Sequence, residues 1–160
     1  MRIILAAIGR MREGAERELV DRYVDRARRS GRTLGFSGPD LIELDEGREA
    51  TAALRRRTEG QRLVAALPRG GRRIVLDEAG RGLTTRELSA LLGKWRDEGV
   101  PAVAFLVGGP DGHGAELRRS ADLVMSLGAM TWPHLLARAM VAEQIYRAMT
   151  ILAGHPYHRG

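Results

Sequence analysis

Residues 100–114 read VPAVAFLVGGPDGHG, and this stretch decides the fold. It begins with a run, Val100–Val107, that carries no charge and is almost entirely apolar. Because the run lacks a strict alternation of apolar and polar residues, it predicts a strand covered on both faces, as in a parallel sheet. The glycine-rich loop Gly108–Gly114 follows and leads into a short helix near Ala115–Arg119. A buried strand, a tight loop and a helix in this order are typical of an α/β domain.

The same alternation of strand and helix continues on both sides of this stretch. Apolar runs end at turn residues, and segments with apolar residues at helical spacing lie between them. Thr84 and Glu87 have the spacing of a capping box, and Trp95 lies on the apolar side of the helix that they open. We predict one α/β domain over residues 1–160, with a mostly parallel sheet and helices on both faces. The predicted strands are Arg2–Ile8, Leu41–Leu44, Arg73–Leu76, Val100–Val107 and Leu123–Leu127. A turn at Ser37–Asp40 precedes the second strand, and a turn-rich segment, Asp77–Gly82, follows the third. The other predicted helices run from Ala15 to a stop at Ser30-Gly31, from Ala50 to Leu67 and from Leu135 to Leu152.

Composition narrows the classes of partner. The chain has 160 residues, 26 Lys and Arg against 20 Asp and Glu, and a net charge of +6. A basic surface concentrates polyanions, so nucleic acid is the leading class of partner, and a merely solvated basic face is the alternative. No apolar run approaches the roughly 20 residues that cross a bilayer, so we expect no membrane contact. The absence of cysteine fits a reducing cytoplasm, where we place the protein.

Three strand ends have the features of a ligand site. They are Leu76-Asp77, Gly108–Gly112 and Leu127–Trp132, and ligands of a parallel sheet gather beyond the carboxyl ends of its strands. Glycine lets the backbone approach a ligand, and exposed N–H and C=O groups can bind an adenine or an amino acid. The sequence has no G-x-x-x-x-G-K-[ST] and no G-x-G-x-x-G with the acidic residue that normally follows it. The loops therefore favour a nucleoside-containing cofactor held largely by backbone over NAD or ATP, and tight turns without a ligand are the alternative.

The chain ends in the unusual segment His155-Pro156-Tyr157-His158-Arg159-Gly160. Imidazole, phenol and guanidinium groups stack on bases, hold phosphates or titrate near neutral pH. The alternative is a tail that folds back and closes a core. The 4 histidines of the chain do not form a helical His-x-x-x-His pattern and have no carboxylate-rich neighbourhood, so we expect no metal.

Four motifs together are similar to one known family. They are the GGPDG loop, SLGAMTWPH at 126–134, RAMVAEQIYRA at 138–148 and GHPYHR at 154–159. This combination closely resembles the RlmH-type large-subunit rRNA pseudouridine N3-methyltransferases, which belong to the SPOUT class. The resemblance covers essentially the whole chain and is strongest from Ile74 to Arg159.

The resemblance implies a fold, a cofactor, an assembly and a substrate. The fold is a SPOUT-type α/β domain whose C-terminal part is tucked through a loop as a trefoil knot. The cofactor is S-adenosylmethionine, the assembly is an obligate homodimer, and the substrate is N3 of a pseudouridine in 23S ribosomal RNA. The small size of the chain fits a substrate whose shape is preassembled, such as a subunit or the assembled ribosome. The cofactor-binding residues that the resemblance implies are Leu76, Gly108, Leu127, Gly128, Ala129, Met130, Thr131 and Trp132.

The reaction requires a group that removes a proton from the base. N3 of a uracil-type base is a weak acid, and its lone pair must attack a sulfonium methyl in line. The C-terminal tail supplies candidates by chemical type, and two residues before the tail are second choices. The candidates are His155, Tyr157 and His158, followed by Glu143 and His134.

Three arginines in the C-terminal part are candidates for RNA contact. Arg138, Arg147 and Arg159 can hold RNA phosphates or stabilise negative charge that develops on a base oxygen. Glu143 and Arg147 are four residues apart, so these two side chains can instead pair along their helix. We expect RNA contact at Arg138 and Arg159 and leave Arg147 open.

Two other functions fit parts of the sequence. A basic ribosome-binding factor without enzymatic activity would need only the arginine-rich surface, with the glycine loops as plain turns. A SPOUT methyltransferase that acts on tRNA would bind the same cofactor and transfer the methyl group to a different RNA.

Overall fold

The protein is built on one five-stranded sheet, seen in a computed structural model that describes residues 1–155 and residue 157. The strand order is β2-β1-β4-β3-β5, and every neighbouring pair runs parallel. The predicted α/β class and parallel sheet are therefore confirmed, whereas the trefoil knot stays a prediction. The elements are β1 (Arg2–Ile8), α1 (Ala15–Arg32), β2 (Ser37–Leu44), α2 (Ala52–Ala65), β3 (Arg72–Gly82), α3 (Thr85–Asp97), β4 (Ala102–Val107), α4 (Ala115–Arg119), β5 (Leu123–Ser126) and α5 (His134–Leu152).

The central strands are buried on both faces, as the lack of alternation in their sequences predicts. Successive residues of β1 enter opposite cores: Ile3, Leu5 and Ala7 lie in one, and Ile4, Ala6 and Ile8 in the other. The first core is closed by α1, α3 and α5, and the second by α2 and α4. The predicted helices on both faces are thus confirmed, because each face of the apolar sheet needs a cover.

Strand β2 begins four residues before its predicted start. The segment predicted as a turn, Ser37–Asp40, continues the pairing with β1 through a register shift and contains a cis bond between Gly38 and Pro39. A Cβ at Gly38 would lie 2.3 Å from the carbonyl oxygen of Ile3, so the two backbones approach as closely as only glycine allows. Turn residues here mark an irregular strand start, because the neighbouring strand imposes the pairing.

Strand β3 also extends beyond its predicted end. Its first part pairs with both β4 and β5, the ladder with β5 breaks after Leu76, and pairing resumes at Arg81. The turn-rich residues between them therefore form a bulge in the strand. A Cβ on Gly80 would lie 2.7 Å from the carbonyl carbon of Met125, so the bulge presses directly on the backbone of β5. This irregularity shapes the site described below.

Helix α1 continues through its predicted stop. Gly31 lies inside the helix and is buried, where a Cβ would lie 3.2 Å from Cβ of Phe36 and 3.5 Å from the sulfur of Met149. The glycine serves the close packing of α1 on the chain that follows it and on α5. Two other local predictions are confirmed: Thr84 and Glu87 form the complete capping box of α3, and Trp95 is buried.

Candidate functional site

A cleft of about 640 Å³ opens at the carboxyl ends of β3, β4 and β5. Its size lies within the range of about 300–1,000 Å³ that is typical of small-molecule sites. The walls are formed by 76–79 after the regular part of β3, 107–113 after β4, and 125–128 with 130–132 around and after the end of β5. The cleft is lined by every predicted cofactor-binding residue except Ala129, which lies between two of them. Their contact with a cofactor stays a prediction.

The β3 wall is held by carboxylates in the bulge. Asp77 accepts a hydrogen bond from the backbone N–H of Ala79 at 3.0 Å and an ion-pair contact from Arg118 at 3.2 Å. Across the cleft mouth, the hydroxyl of Thr131 donates to Glu78 at 3.1 Å. The bulge is therefore tied both to α4 and to the loop after β5, and these contacts fix the width of the cleft.

The β4 wall is a closed glycine turn. The backbone N–H of Gly112 donates to the carbonyl of Gly109 at 3.0 Å, and Gly112 has a φ of +72°, which favours glycine. A Cβ on Gly108 would lie 3.0 Å from the carbonyl carbon of Gly112. Gly108 is therefore required for the turn to close. Because the closed turn presents a backbone edge to the cleft, Gly108 also shapes the cleft indirectly.

Arg55 of α2 braces this turn, a role that the sequence analysis missed. Its Nε donates to Asp111 at 2.7 Å, and its Nη1 donates to the carbonyl of Glu49 at 2.9 Å. The hydrogen bond to Arg55 lowers the pKa of Asp111, and the same bond raises the pKa of Arg55. The two residues are 56 positions apart, so periodicity within α2 carries no signal for this contact.

The loop after β5 is the most open wall. The Ser126 hydroxyl both accepts from the N–H of Gly128 at 3.1 Å and donates to the carbonyl of the same residue at 2.8 Å. Gly128 has a φ of +122° and open space where a Cβ would stand. Met130 is 71% exposed and Trp132 is 38% exposed. Large apolar side chains exposed beside a polar backbone edge are the composition that a bound nucleoside or a partner molecule would cover.

Two histidines line the cleft, and the sequence analysis singled out one of them as a second choice. His134 begins α5, and its pKa is lowered by burial and by the charge of Arg138. His113 is buried with Nε2 3.1 Å from the carbonyl oxygen of Leu106, and burial lowers its pKa as well. Both imidazoles are therefore neutral near pH 7, and a neutral imidazole can accept a proton.

Arg138 lies in the protein interior. Its side chain is 0% exposed, and the guanidinium donates to the carbonyl of Gly9 at 2.8 Å, to the carbonyl of Ile8 and to the carboxylate of Glu43 at 3.2 Å. Burial lowers the pKa of Arg138, and the carboxylates of Glu43 and Glu46 oppose that shift. These contacts favour a structural role at the end of β1. The predicted contact of Arg138 with RNA stays a prediction.

The described tail residues lie at the end of α5 rather than in the cleft. The ring of Tyr157 packs on Tyr146 with 4.7 Å between centroids, and the Arg147 guanidinium lies 4.9 Å from the Tyr157 centroid. His155 accepts a hydrogen bond from the backbone N–H of Tyr157 at 3.1 Å. Burial raises the pKa of the Tyr157 hydroxyl. His158 and Arg159 fall outside the described residues, so the predictions for them are untested.

Glu143 lies between the tail and a second cleft. It pairs with Arg147 at 2.5 Å and accepts a 3.4 Å hydrogen bond from Tyr157, so the pairing along the helix that the sequence allowed is present. Together with Gln144 it lines a space of about 500 Å³ that shares residues 125–128 with the first cleft. The segment 125–128 is therefore a common wall, with the predicted cofactor site on one side and the neighbours of the tail on the other.

The residues of the first cleft fit S-adenosylmethionine. A nucleoside and an amino acid need backbone donors and acceptors, which the three strand ends supply, and apolar flanks, which Leu76, Leu127 and Met130 supply. The carboxylate of Glu78, which accepts a hydrogen bond from the Thr131 hydroxyl, favours a positively charged ligand. Within the part of the chain that the structure describes, no group of three or more His, Cys, Asp or Glu is placed to hold a metal ion. Nor is any helix of that part long and apolar enough to cross a membrane.

The sequence of the chain is similar to those of known proteins along its whole length. The family profile described as "Predicted SPOUT methyltransferase" matches residues 1–158. A protein of Methylocella silvestris called ribosomal RNA large subunit methyltransferase H is 51% identical over 159 residues, which are 99% of each chain. Proteins of the same name are 50% identical in Bradyrhizobium sp. (strain BTAi1), over 99% of each chain, and 50% identical in Nitrobacter hamburgensis, over 100% of each chain.

Proposed function

The chain belongs to the SPOUT methyltransferase family, and we propose that it is an S-adenosylmethionine-dependent methyltransferase of 23S ribosomal RNA. The acceptor is N3 of a pseudouridine, methylated in the assembled ribosome, and the enzyme works in the cytoplasm as a homodimer. One observation carries the proposal: the three separate strand ends that the resemblance assigns to the cofactor meet in a single cleft. Relatives that cover the whole chain at about half identity carry the rRNA methyltransferase name.

The cleft binds and orients the cofactor through its backbone edges. Leu76, Gly108 and the segment Leu127–Trp132 hold it, and the bulge and the glycine turn keep these edges at fixed separation. The bound cofactor supplies an electrophilic methyl group on a sulfonium centre. The protein accelerates the transfer by aligning the N3 lone pair with that methyl, because reaction in a preformed geometry avoids the entropy cost of bringing two partners together.

The proton on N3 requires an acceptor within reach of the cleft. We propose that the tail, with His155, Tyr157 and His158, clamps the base and takes the proton. Because Tyr157 lies away from the cleft of its own chain, we propose that the tail of the second copy in the homodimer serves each cleft. His134 is the second candidate, since it lines the cleft and burial lowers the pKa of its imidazole.

Truncation and substitution separate these two candidates. Deletion of His155–Gly160 abolishes methylation and leaves the calorimetric affinity for S-adenosylmethionine nearly unchanged if the tail acts on the substrate. His134→Asn, which keeps a polar side chain of similar size, abolishes methylation instead if His134 is the acceptor. Full activity of the truncated enzyme would exclude the tail.

The RNA side of the proposal rests on charge. The net charge of +6 steers the protein toward polyanions, and Arg138 and Arg159 are the proposed contacts in the C-terminal part. Arg159 follows the tail residues directly and can hold a phosphate next to the clamped base. Arg138 can reach RNA only if its contacts with β1 open, which the first prediction of the Discussion tests.

Transfer of a tritiated methyl group tests the function directly. Naked rRNA, isolated large subunits and whole ribosomes are each incubated with the enzyme and labelled S-adenosylmethionine, with tRNA as a further acceptor. Label in whole ribosomes supports the proposal. Label in tRNA alone supports the other RNA target, and no heat on titration with S-adenosylmethionine supports a ribosome-binding factor without enzymatic activity.

A further inference from the structure

A second concave surface lies between α2 and α4, on the face of the sheet opposite α5. This α2–α4 groove has a volume of about 620 Å³. It is lined by small and aliphatic residues and by arginine, glutamine, glutamate and serine side chains. The apolar and small lining residues include Ala53, Gly60, Val64, Ala65, Ala115 and Leu117.

The groove carries more cationic than acidic side chains among the described residues that line it. Arg56, Arg57 and Arg73 line it, and Glu116 is the one acidic lining residue. Within residues 1–155 and 157, none of the three guanidinium groups forms an ion pair, although Arg73 donates to the hydroxyl of Ser120 at 3.3 Å. By contrast, the neighbouring Arg55 and Arg118 are paired with Asp111 and Asp77. The groove therefore keeps a surplus of positive charge where adjacent surfaces are neutralised.

The α2–α4 groove is continuous with the first cleft, the candidate site for the cofactor. Arg56 and Ala115 line both spaces, so the groove begins at the edge of the cleft and runs along α2. From Arg56 to Val64 the helix rises by about 12 Å at roughly 1.5 Å per residue. A groove of that length can follow a short stretch of the backbone of one RNA strand.

We infer that the α2–α4 groove binds the ribose-phosphate backbone of the substrate RNA beside the target nucleotide. This inference rests on the proposed function, because it needs an RNA whose base enters the cleft. Arg57 and Arg73 contact phosphates, and Arg56 lies at the junction where the strand turns toward the cleft. Val64, which is 38% exposed, faces the sugars, because contacts with the sugar-phosphate backbone fix position without reading sequence. The groove thus positions the RNA and carries no sequence specificity of its own.

The salt dependence of binding tests this inference. Each phosphate contact that an arginine makes releases counterions, so its loss reduces the slope of log K against log salt by about 0.7–0.9. Arg57→Gln and Arg73→Gln are each titrated onto unmodified ribosomes over a range of KCl at constant Mg²⁺. Arg62→Gln is the matched control, because Arg62 lies on the same helix, loses the same charge and does not line the groove. We expect each groove variant to lose about 0.7–0.9 of slope, and the control to keep the slope of the unaltered protein.

Two further readouts keep the result specific. The groove variants should raise KM for ribosomes while kcat and the heat of S-adenosylmethionine binding stay unchanged, and their melting temperatures report whether they fold. A slope for Arg57→Gln equal to that of Arg62→Gln overturns the inference. The inference is also overturned if the groove variants bind ribosomes more weakly but bind naked rRNA with unchanged affinity and an unchanged salt slope. That pattern indicates an acidic protein partner rather than RNA. Failure of the unaltered protein to bind S-adenosylmethionine or to methylate ribosomes would instead refute the proposed function. A change in the salt slope of the groove variants leaves the proposed function intact.

Discussion

Replacement of Arg138 by methionine tests what the buried guanidinium does. In the structure this group is fully enclosed and donates to the backbone carbonyls of Ile8 and Gly9 and to the carboxylate of Glu43. Methionine fills a similar length without any donor. The substitution therefore removes the hydrogen bonds and leaves the three acceptors at the end of β1 without this partner.

The expected loss of stability follows from these contacts. Breaking a buried ion pair by removing one partner costs about 3–5 kcal/mol. The lost bonds to the two carbonyls fall within the same range rather than adding to it, because one group makes all the contacts. Glu43 keeps the N–H of Met11 at 2.9 Å and Arg17 at 3.3 Å, which places the expected cost near the lower end, at about 3 kcal/mol. For a chain of this length that corresponds to a fall in Tm of about 6–12 °C.

Thermal and urea unfolding, monitored by circular dichroism, measure the effect. Arg147→Met is the matched control on the same helix, where the arginine side chain is 32% exposed and its i,i+4 pair with Glu143 contributes less than about 1 kcal/mol. Arg138→Met combined with Glu43→Gln should recover part of the loss, because the second change removes the uncompensated carboxylate. A variant Arg138→Met that unfolds within about 1 kcal/mol of the unaltered protein, yet shows a raised KM for ribosomes, would refute the structural role and favour the contact with RNA.

Three other perturbations probe the cleft. Gly108→Ala should raise the Kd for S-adenosylmethionine at least about tenfold, or ~1.4 kcal/mol, because its Cβ would lie 3.0 Å from the backbone of the glycine turn. Gly82→Ala is the control and should leave the calorimetric Kd unchanged, because nothing lies within 4 Å of a Cβ at Gly82. Equal affinities of the two variants would show that the turn adapts. Arg55→Gln should weaken cofactor binding with little change in Tm, because it releases Asp111 and the glycine turn. Arg55→Lys should retain part of the cofactor affinity that Arg55→Gln loses. A lower Tm without a change in Kd would contradict the bracing role. Because burial lowers the pKa of His113 below its usual 6.5, the unfolded chain binds this proton more readily, so the stability gained from the neutral imidazole is complete above about pH 6.5 and is lost as the pH falls. His113→Leu should therefore flatten the acid side of a plot of unfolding free energy against pH, and an unchanged plot would show that His113 does not titrate on unfolding.

Much of the fold follows from local patterns in the chain. The runs at Arg2–Ile8 and Val100–Val107 predict buried strands because every position after Arg2 in them is apolar or small, and the structure places both in the inner part of the sheet. The capping box at Thr84 is local chemistry within four residues, so it needs no knowledge of the rest of the fold. The glycine turn after β4 is also local, and with it one wall of the cleft.

The errors of the sequence analysis share one cause. The glycine and proline residues at Ser37–Asp40, in the β3 bulge and at Gly31 predict the ends of elements, because such residues commonly end helices and strands. In the protein each lies against a backbone or side chain from another element, and the close approach requires a residue without Cβ. The pattern is the same in both situations, so only the neighbour distinguishes them.

The amino-acid pattern alone therefore establishes the α/β class, the parallel sheet, and the strand ends that carry the candidate cofactor site, since hydrophobic periodicity and turn chemistry act over a few residues. Tertiary structure alone decides that Arg138 is enclosed against Gly9, 129 positions away, that Arg55 braces the glycine turn, and that His134 rather than Tyr157 lines the cleft of its own chain. Charge and hydrogen-bonding capacity are properties of single side chains, but burial and partners are set by elements that meet only after the sheet has formed. Arginines with the same sequence character thus become a buried hydrogen-bond donor in the interior, a brace for a loop, or a side chain that lines a surface groove.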